Sequence, residues 1–165
     1  MDSLHILFVV DPQEDPDFLL RYDVCTNTTH TVYSGIEYDV FTPLALSPSG
    51  RYVAMGIFGT SYATRELQVL DLDTGDLIFP NRSLNHASSQ RTLTWSSDSE
   101  QLLFSGRVRG GGDADIYRFA PTTRDLELVY DSTTEDRYPV WSPGGTQLAF
   151  TATQQRNNGL ANGLF

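Results

Sequence analysis

The chain has 165 residues, enough to bury a core, and its 39% hydrophobic and 12% aromatic content is that of a globular protein rather than a disordered or collagen-like one. Its 11 basic residues are all arginine and face 21 acidic ones, a net charge of −10 that repels phosphate backbones and argues against a nucleic-acid partner. A single cysteine, Cys25, excludes an intrachain disulfide and a thiolate metal cluster.

The first predicted element is a strand over residues 4–10. Its apolar run is broken by His5, lacks a basic leader and meets Asp11, so it is neither a signal core nor a membrane span. Residues 18–24 and 31–33 follow as a hairpin around Cys25-Thr26-Asn27-Thr28-Thr29. A twelve-residue pattern then organises the rest. It begins at Leu44 and returns without a gap at Leu93 and Pro139, at offsets of 49 and 46 residues. Each copy reads as two short strands around a polar turn: Ser47-Pro48-Ser49-Gly50, Ser96-Ser97-Asp98-Ser99 and Ser142-Pro143-Gly144-Gly145. Proline and glycine suit such turns by presetting one backbone angle and supplying a positive φ at the next. Two further strands follow the first pair at 66–72 and 77–79 and the second at 116–120 and 126–130, while the third copy begins with strands at 138–141 and 147–151. Helical periodicity with capping signals is missing, so the expected class is all-β.

Four-stranded meanders of this period cover neither face alone and must stack, which predicts β-propeller blades. The predicted units are about 1–40, 41–88, 89–136 and 137–165, within a single propeller segment. The residues just before the turns, Leu46, Trp95 and Trp141, are expected to pack between blades. Both ends fall inside a unit, giving about three and a half blades. Propellers close with about four to eight. The chain is therefore expected to be an incomplete or open propeller fragment, a slice of a longer protein, with two chains combining to close a ring as the alternative; the isolated chain is expected to self-associate through open blade edges.

Trp141-Ser142-Pro143-Gly144-Gly145 with Leu148-Ala149-Phe150 resembles the blade signature of TolB-type propellers, and Asp71-Leu72-Asp73-Thr74-Gly75 resembles the turn after their third strand. The pattern departs at Ser96-Ser97-Asp98-Ser99 and at Leu46, where tryptophan would stand. The resemblance implies a bacterial-style, WD40-like propeller of six to eight blades used for protein contacts. Similar blades occur in the non-catalytic portion of prolyl-oligopeptidase-like and tricorn-like serine peptidases, where they gate or sort substrates. No signal peptide is evident; the resemblance implies the periplasm for a TolB-like fragment, and a native start at Met1 the cytoplasm.

Chemistry is sought on the face shared by the unit-joining loops (34–40, 81–91 and 131–137) and the loops after second strands (11–17, 58–65 and 107–113), because rigid scaffolds present binding residues on loops. The candidate partner-binding residues are Tyr38, Asp39, His86, Arg91, Arg107, Arg109, Asp113, Glu135, Asp136, Arg137 and Tyr138. Charge reversal at Arg107 or Arg109 is expected to weaken partner binding with little change in stability. The acidic run 11–17 lacks the spacing of a calcium loop, and Arg107-Val108-Arg109-Gly110-Gly111-Gly112-Asp113 lacks the lysine and following helix of a phosphate loop. Three histidines and no Gly-x-Ser-x-Gly elbow support no catalytic triad. The expectation is a non-enzymatic chain without metal or cofactor that binds a protein or peptide, without membrane insertion.

Overall fold

The computed structural model describes residues 4–10, 17–36, 44–58, 65–81, 84–86, 92–108, 111–156 and 159–164. Within them every regular element is a strand, and the strands form four antiparallel sheets in chain order. The first contains β1 (His5–Val10), β2 (Asp17–Asp23) and β3 (Thr28–Ile36). The second contains β4 (Ala45–Leu46), β5 (Tyr52–Phe58), β6 (Arg65–Asp71) and β7 (Leu77–Ile78). The third contains β8 (Leu84–His86), β9 (Thr94–Trp95), β10 (Leu102–Val108), β11 (Asp115–Ala120) and β12 (Asp125–Tyr130). The fourth contains β13 (Asp136–Trp141), β14 (Leu148–Arg156) and β15 (Gly159–Leu164). These are consecutive propeller blades.

The third sheet corrects one expectation. Both β8 and β9 pair with β10, His86 opposite Gly106 and Trp95 opposite Leu102, so they are two halves of one innermost strand. Residues 84–86, expected in a joining loop, are therefore strand, because β10 is long enough to offer its edge to both halves. β3 and β13 likewise take residues 34–36 and 136–137 from the expected loops.

Apolar clusters fill the seams between sheets. Val53, Met55 and Ile57 of β5 pack toward the first sheet with Leu19 and Leu7, while Tyr52 and Ala54 pack toward the third with Trp95, Leu102 and Phe104. Leu103 and Ile116 face the fourth sheet, with Phe150 and Ala152. Period-two alternation thus sends neighbouring residues of one strand into different seams. The central strands read as nearly continuous apolar runs because both faces are buried.

Trp95 spans the second seam. Its indole stacks on Tyr52 at 5.7 Å and its Nε1–H donates to the Ala45 carbonyl at 2.8 Å. The Arg51 guanidinium lies over the same tyrosine ring, 4.9 Å from its centre, while ion-paired with Asp71. Trp141 packs against the cluster of the third seam. Leu46 departs from expectation at 48% exposure. Trp95 rests on β4 and β5 of the preceding blade, but among the described residues the first sheet has no strand inside β1 to receive Leu46.

The three turns repeat atom by atom. The amides of Gly50, Ser99 and Gly145 donate to the carbonyls of Ser47, Ser96 and Ser142, and those serine hydroxyls accept from the amides of Tyr52, Gln101 and Gln147. The closing residue has φ of 77°, 68° and 68° in the three copies, so Ser99 occupies a glycine position. Its side chain explains the exception: Ser99 is buried and its hydroxyl accepts the Ser49 amide of the neighbouring blade at 2.8 Å. Ser99→Gly relieves the backbone but strands that amide. Since a lost hydrogen bond costs about 0.5–1.5 kcal/mol and left-handed strain about 1–2 kcal/mol, the two nearly offset and the variant is expected to change stability by less than ~1 kcal/mol in chemical denaturation. A clear stabilisation would refute the inter-blade role of this serine.

Candidate functional site

Two loops meet at one end of the third and fourth sheets: the segment between β10 and β11, and the connection from β12 to β13. They are tied by a backbone hydrogen bond from Asp136 N–H to the Ala114 carbonyl at 2.7 Å, and the second loop is fixed to β14 by Thr153 N–H donating to the Glu135 carbonyl at 3.2 Å. Glu135 sits between two arginines, Arg107 at the end of β10 and Arg137 in β13, the latter 3.0 Å away. Burial alone would raise its pKa, but the two guanidinium groups hold the carboxyl below its usual range. Arg107 is thus already engaged, and its Nε is buried without a partner among the described residues. Reversing its charge would set a carboxylate against Glu135, so Arg107→Glu is expected to lower stability as well as partner binding.

Behind this bridge lies a group of carboxylates. Asp136 is fully buried; one oxygen accepts the Ser132 hydroxyl at 2.9 Å and Oδ1 has no partner among the described residues. Burial, then the charges of Asp113, Asp131 and Glu135, push its pKa up against the Ser132 bond. Asp115, at the start of β11, is raised to about 6, first by burial and then by Asp131, Asp113 and Asp136. Asp115 can therefore hold a proton in the mildly acidic range. Among the described residues, no group of three or more His, Cys, Asp or Glu side chains is placed to hold a metal ion.

Tyr138 has an unusual backbone. The register of β13 against β14 slips between Arg137 and Val140, and inside this bulge Tyr138 adopts φ of 57° with its ring 46% exposed. Left-handed backbone at an aromatic residue is rare and concentrates at functional positions.

Of the candidate residues, Arg107, Asp113, Glu135, Asp136, Arg137 and Tyr138 gather at this end of the two blades. Asp136, being buried, positions the loop and is not available as a contact surface. His86 lies in β8 opposite Gly106 rather than in a loop. Tyr38, Asp39, Arg91 and Arg109, like the acidic residues 11–16, lie outside the described residues. Sequence reasoning missed Asp115, Asp131 and Ser132; the available signal was that acidic residues end both converging loops. No described helix is long and apolar enough to cross a membrane.

No protein-family model and no curated protein matches the chain. Solved structures do. TolB from Acinetobacter baumannii superposes with a TM-score of 0.61 at 21% identity, over 98% of this chain and 38% of that one. The tricorn protease gives 0.70 at 17% identity, over 96% and 16%. The β-propeller domain of the Trilobed protease from Pyrococcus furiosus gives 0.68 at 14%, over 99% and 51%. The chain therefore has the fold of a partial TolB-like propeller and spans about half or less of each of these proteins.

Proposed function

We propose that this chain is a non-catalytic propeller segment that binds a protein or peptide through the loop end of its third and fourth blades. The observation that carries this reading is Tyr138, an exposed aromatic in left-handed backbone beside the Arg107–Glu135–Arg137 bridge. Tyrosine and arginine dominate the energetics of protein interfaces, and a ring preset by a bulge loses little freedom on binding. The partly exposed guanidinium groups beside it suit a partner's carboxylate or backbone carbonyls.

The test is a photo-crosslinking residue at Tyr138 in the whole protein in its native cell, with exposed Leu128 of β12 as the control. A crosslinked polypeptide from position 138 and none from 128 is expected. Tyr138→Asn, which tolerates the same backbone, should weaken capture of that polypeptide about tenfold or more, the effect of an interface hot spot. Equal crosslinking at both positions, or none, would contradict the reading.

A second reading, the gating or substrate-sorting propeller of a serine peptidase, is favoured by the likeness to the tricorn and Trilobed proteases. A hydrolase domain with its nucleophile elbow in the same reading frame would decide for it.

A further inference from the structure

The three seams are built from equivalent positions, but the side chains at their turn ends differ. Across the second seam stand Tyr52 and the paired residues Ala54, Val69 and Ile78, all buried. Their register counterparts at the third seam are Gln101, Leu103, Arg118 and Glu127. Where the second seam is closed by a tyrosine stacked on Trp95, the third is open. Between the turns of the third and fourth blades it holds a cleft of about 440 Å³. Leu103, Val129 and Trp141 line its wall, with Gln101, Asp98 and Arg118 nearer the polar side. That volume falls within the roughly 300–1,000 Å³ of built ligand sites.

We propose that this cleft receives an aromatic side chain, a tyrosine, from a partner polypeptide. The chain carries its own template. Tyr52 is flanked by the Trp95 indole and the Arg51 guanidinium; the cleft presents Trp141 at the repeat position of Trp95 and, in place of Arg51, whose own counterpart is Glu100, a guanidinium from the position of Val69, Arg118. Arg118 is held there by Glu127 and, at 3.3 Å, by the side-chain Oε1 of Gln101, which accepts from its guanidinium. A ring between an indole face and a guanidinium gains stacking and cation–π attraction. Gln101, one ring short of Tyr52, leaves the space open. The site lies at the turn end of the strands, opposite the loop end that bears Tyr138, so it stands or falls independently of the function proposed above.

The experiment is a titration of the isotope-labelled full chain with N-acetyl-L-tyrosinamide, followed at the two indole N–H signals. Trp95 is distinguished by its bond to Ala45, whereas Trp141 Nε1 has no acceptor among the described residues. A saturable shift of the Trp141 signal with the Trp95 signal fixed is expected. Gln101→Tyr, which supplies the ring from within, should abolish that response and raise Tm by about 2–4 °C. Arg118→Leu should weaken the response about threefold, as loss of an exposed cation–π contact does. An unmoved Trp141 signal, an equal response to N-acetyl-L-leucinamide or to a methyl glucoside, or an undiminished response in folded Gln101→Tyr would each overturn the proposal.

Discussion

Trp95→Ala is expected to remove about 3–5 kcal/mol of stability, the cost of emptying a large aromatic site in a packed core. The residue is buried, stacks on Tyr52, belongs to the cluster of the second seam, and satisfies the Ala45 carbonyl across that seam. Chemical denaturation monitored by circular dichroism reads the effect directly. Leu46→Ala is the matched control, since Leu46 occupies the same position of the repeat but is half exposed. It should change stability by less than about 0.5 kcal/mol, as surface substitutions do. Equal losses in the two variants would mean that position in the repeat, not the occupied seam, sets the energy. Trp95→Phe should lie between the two, keeping much of the stack and losing the indole donor.

The second large effect is a pH dependence. Asp115 is pushed up to about 6 by burial first and by Asp131, Asp113 and Asp136 next, with a Ser132 backbone bond working against them. A carboxyl raised above its unfolded value stabilises the fold while protonated. Its contribution is complete below the ordinary carboxyl value of 3.8 and disappears as pH rises through about 6. At neutral pH the site therefore carries an uncompensated negative charge. Asp115→Asn is expected to raise Tm by roughly 3–6 °C above about pH 7 and to leave it unchanged near pH 4, the response of a chain this size to ~1–2 kcal/mol after solvent screening. Asp71, held low by its bond to Arg51, and Asp23, Asp98 and Glu135, also held low, act with the opposite sign. They are common to both proteins and cancel in the difference between the two pH profiles, which reads Asp115 together with its coupling to Asp131, Asp113 and Asp136. A flat difference, or one that grows toward acid, would contradict the placement of Asp115 among these carboxylates.

The repeated Ser-Pro-x-Gly turns and the alternation around them made the blades legible, because turn chemistry and strand period are local properties. The split innermost strand was not legible: Leu84–His86 is fixed by pairing with β10, a partner some twenty residues away in the sequence. Leu46 misled for a related reason, since its burial depends on what the neighbouring blade offers rather than on its own repeat. At the loop end, the arginines and Glu135 could be nominated from their place after strands. Their mutual bridge, the burial of Asp136 and the inclusion of Asp115 come from the meeting of two loops that the sequence keeps apart.

The account rests on adjacent blades stacking through shared side chains, and a double-mutant cycle at Tyr52 and Trp95 tests it most directly. Tyr52→Ala, Trp95→Ala and the double variant, compared in chemical denaturation, should give a coupling of about 0.5–1.5 kcal/mol, as for stacked aromatic pairs. Additive losses, with no coupling between these two rings, would contradict it.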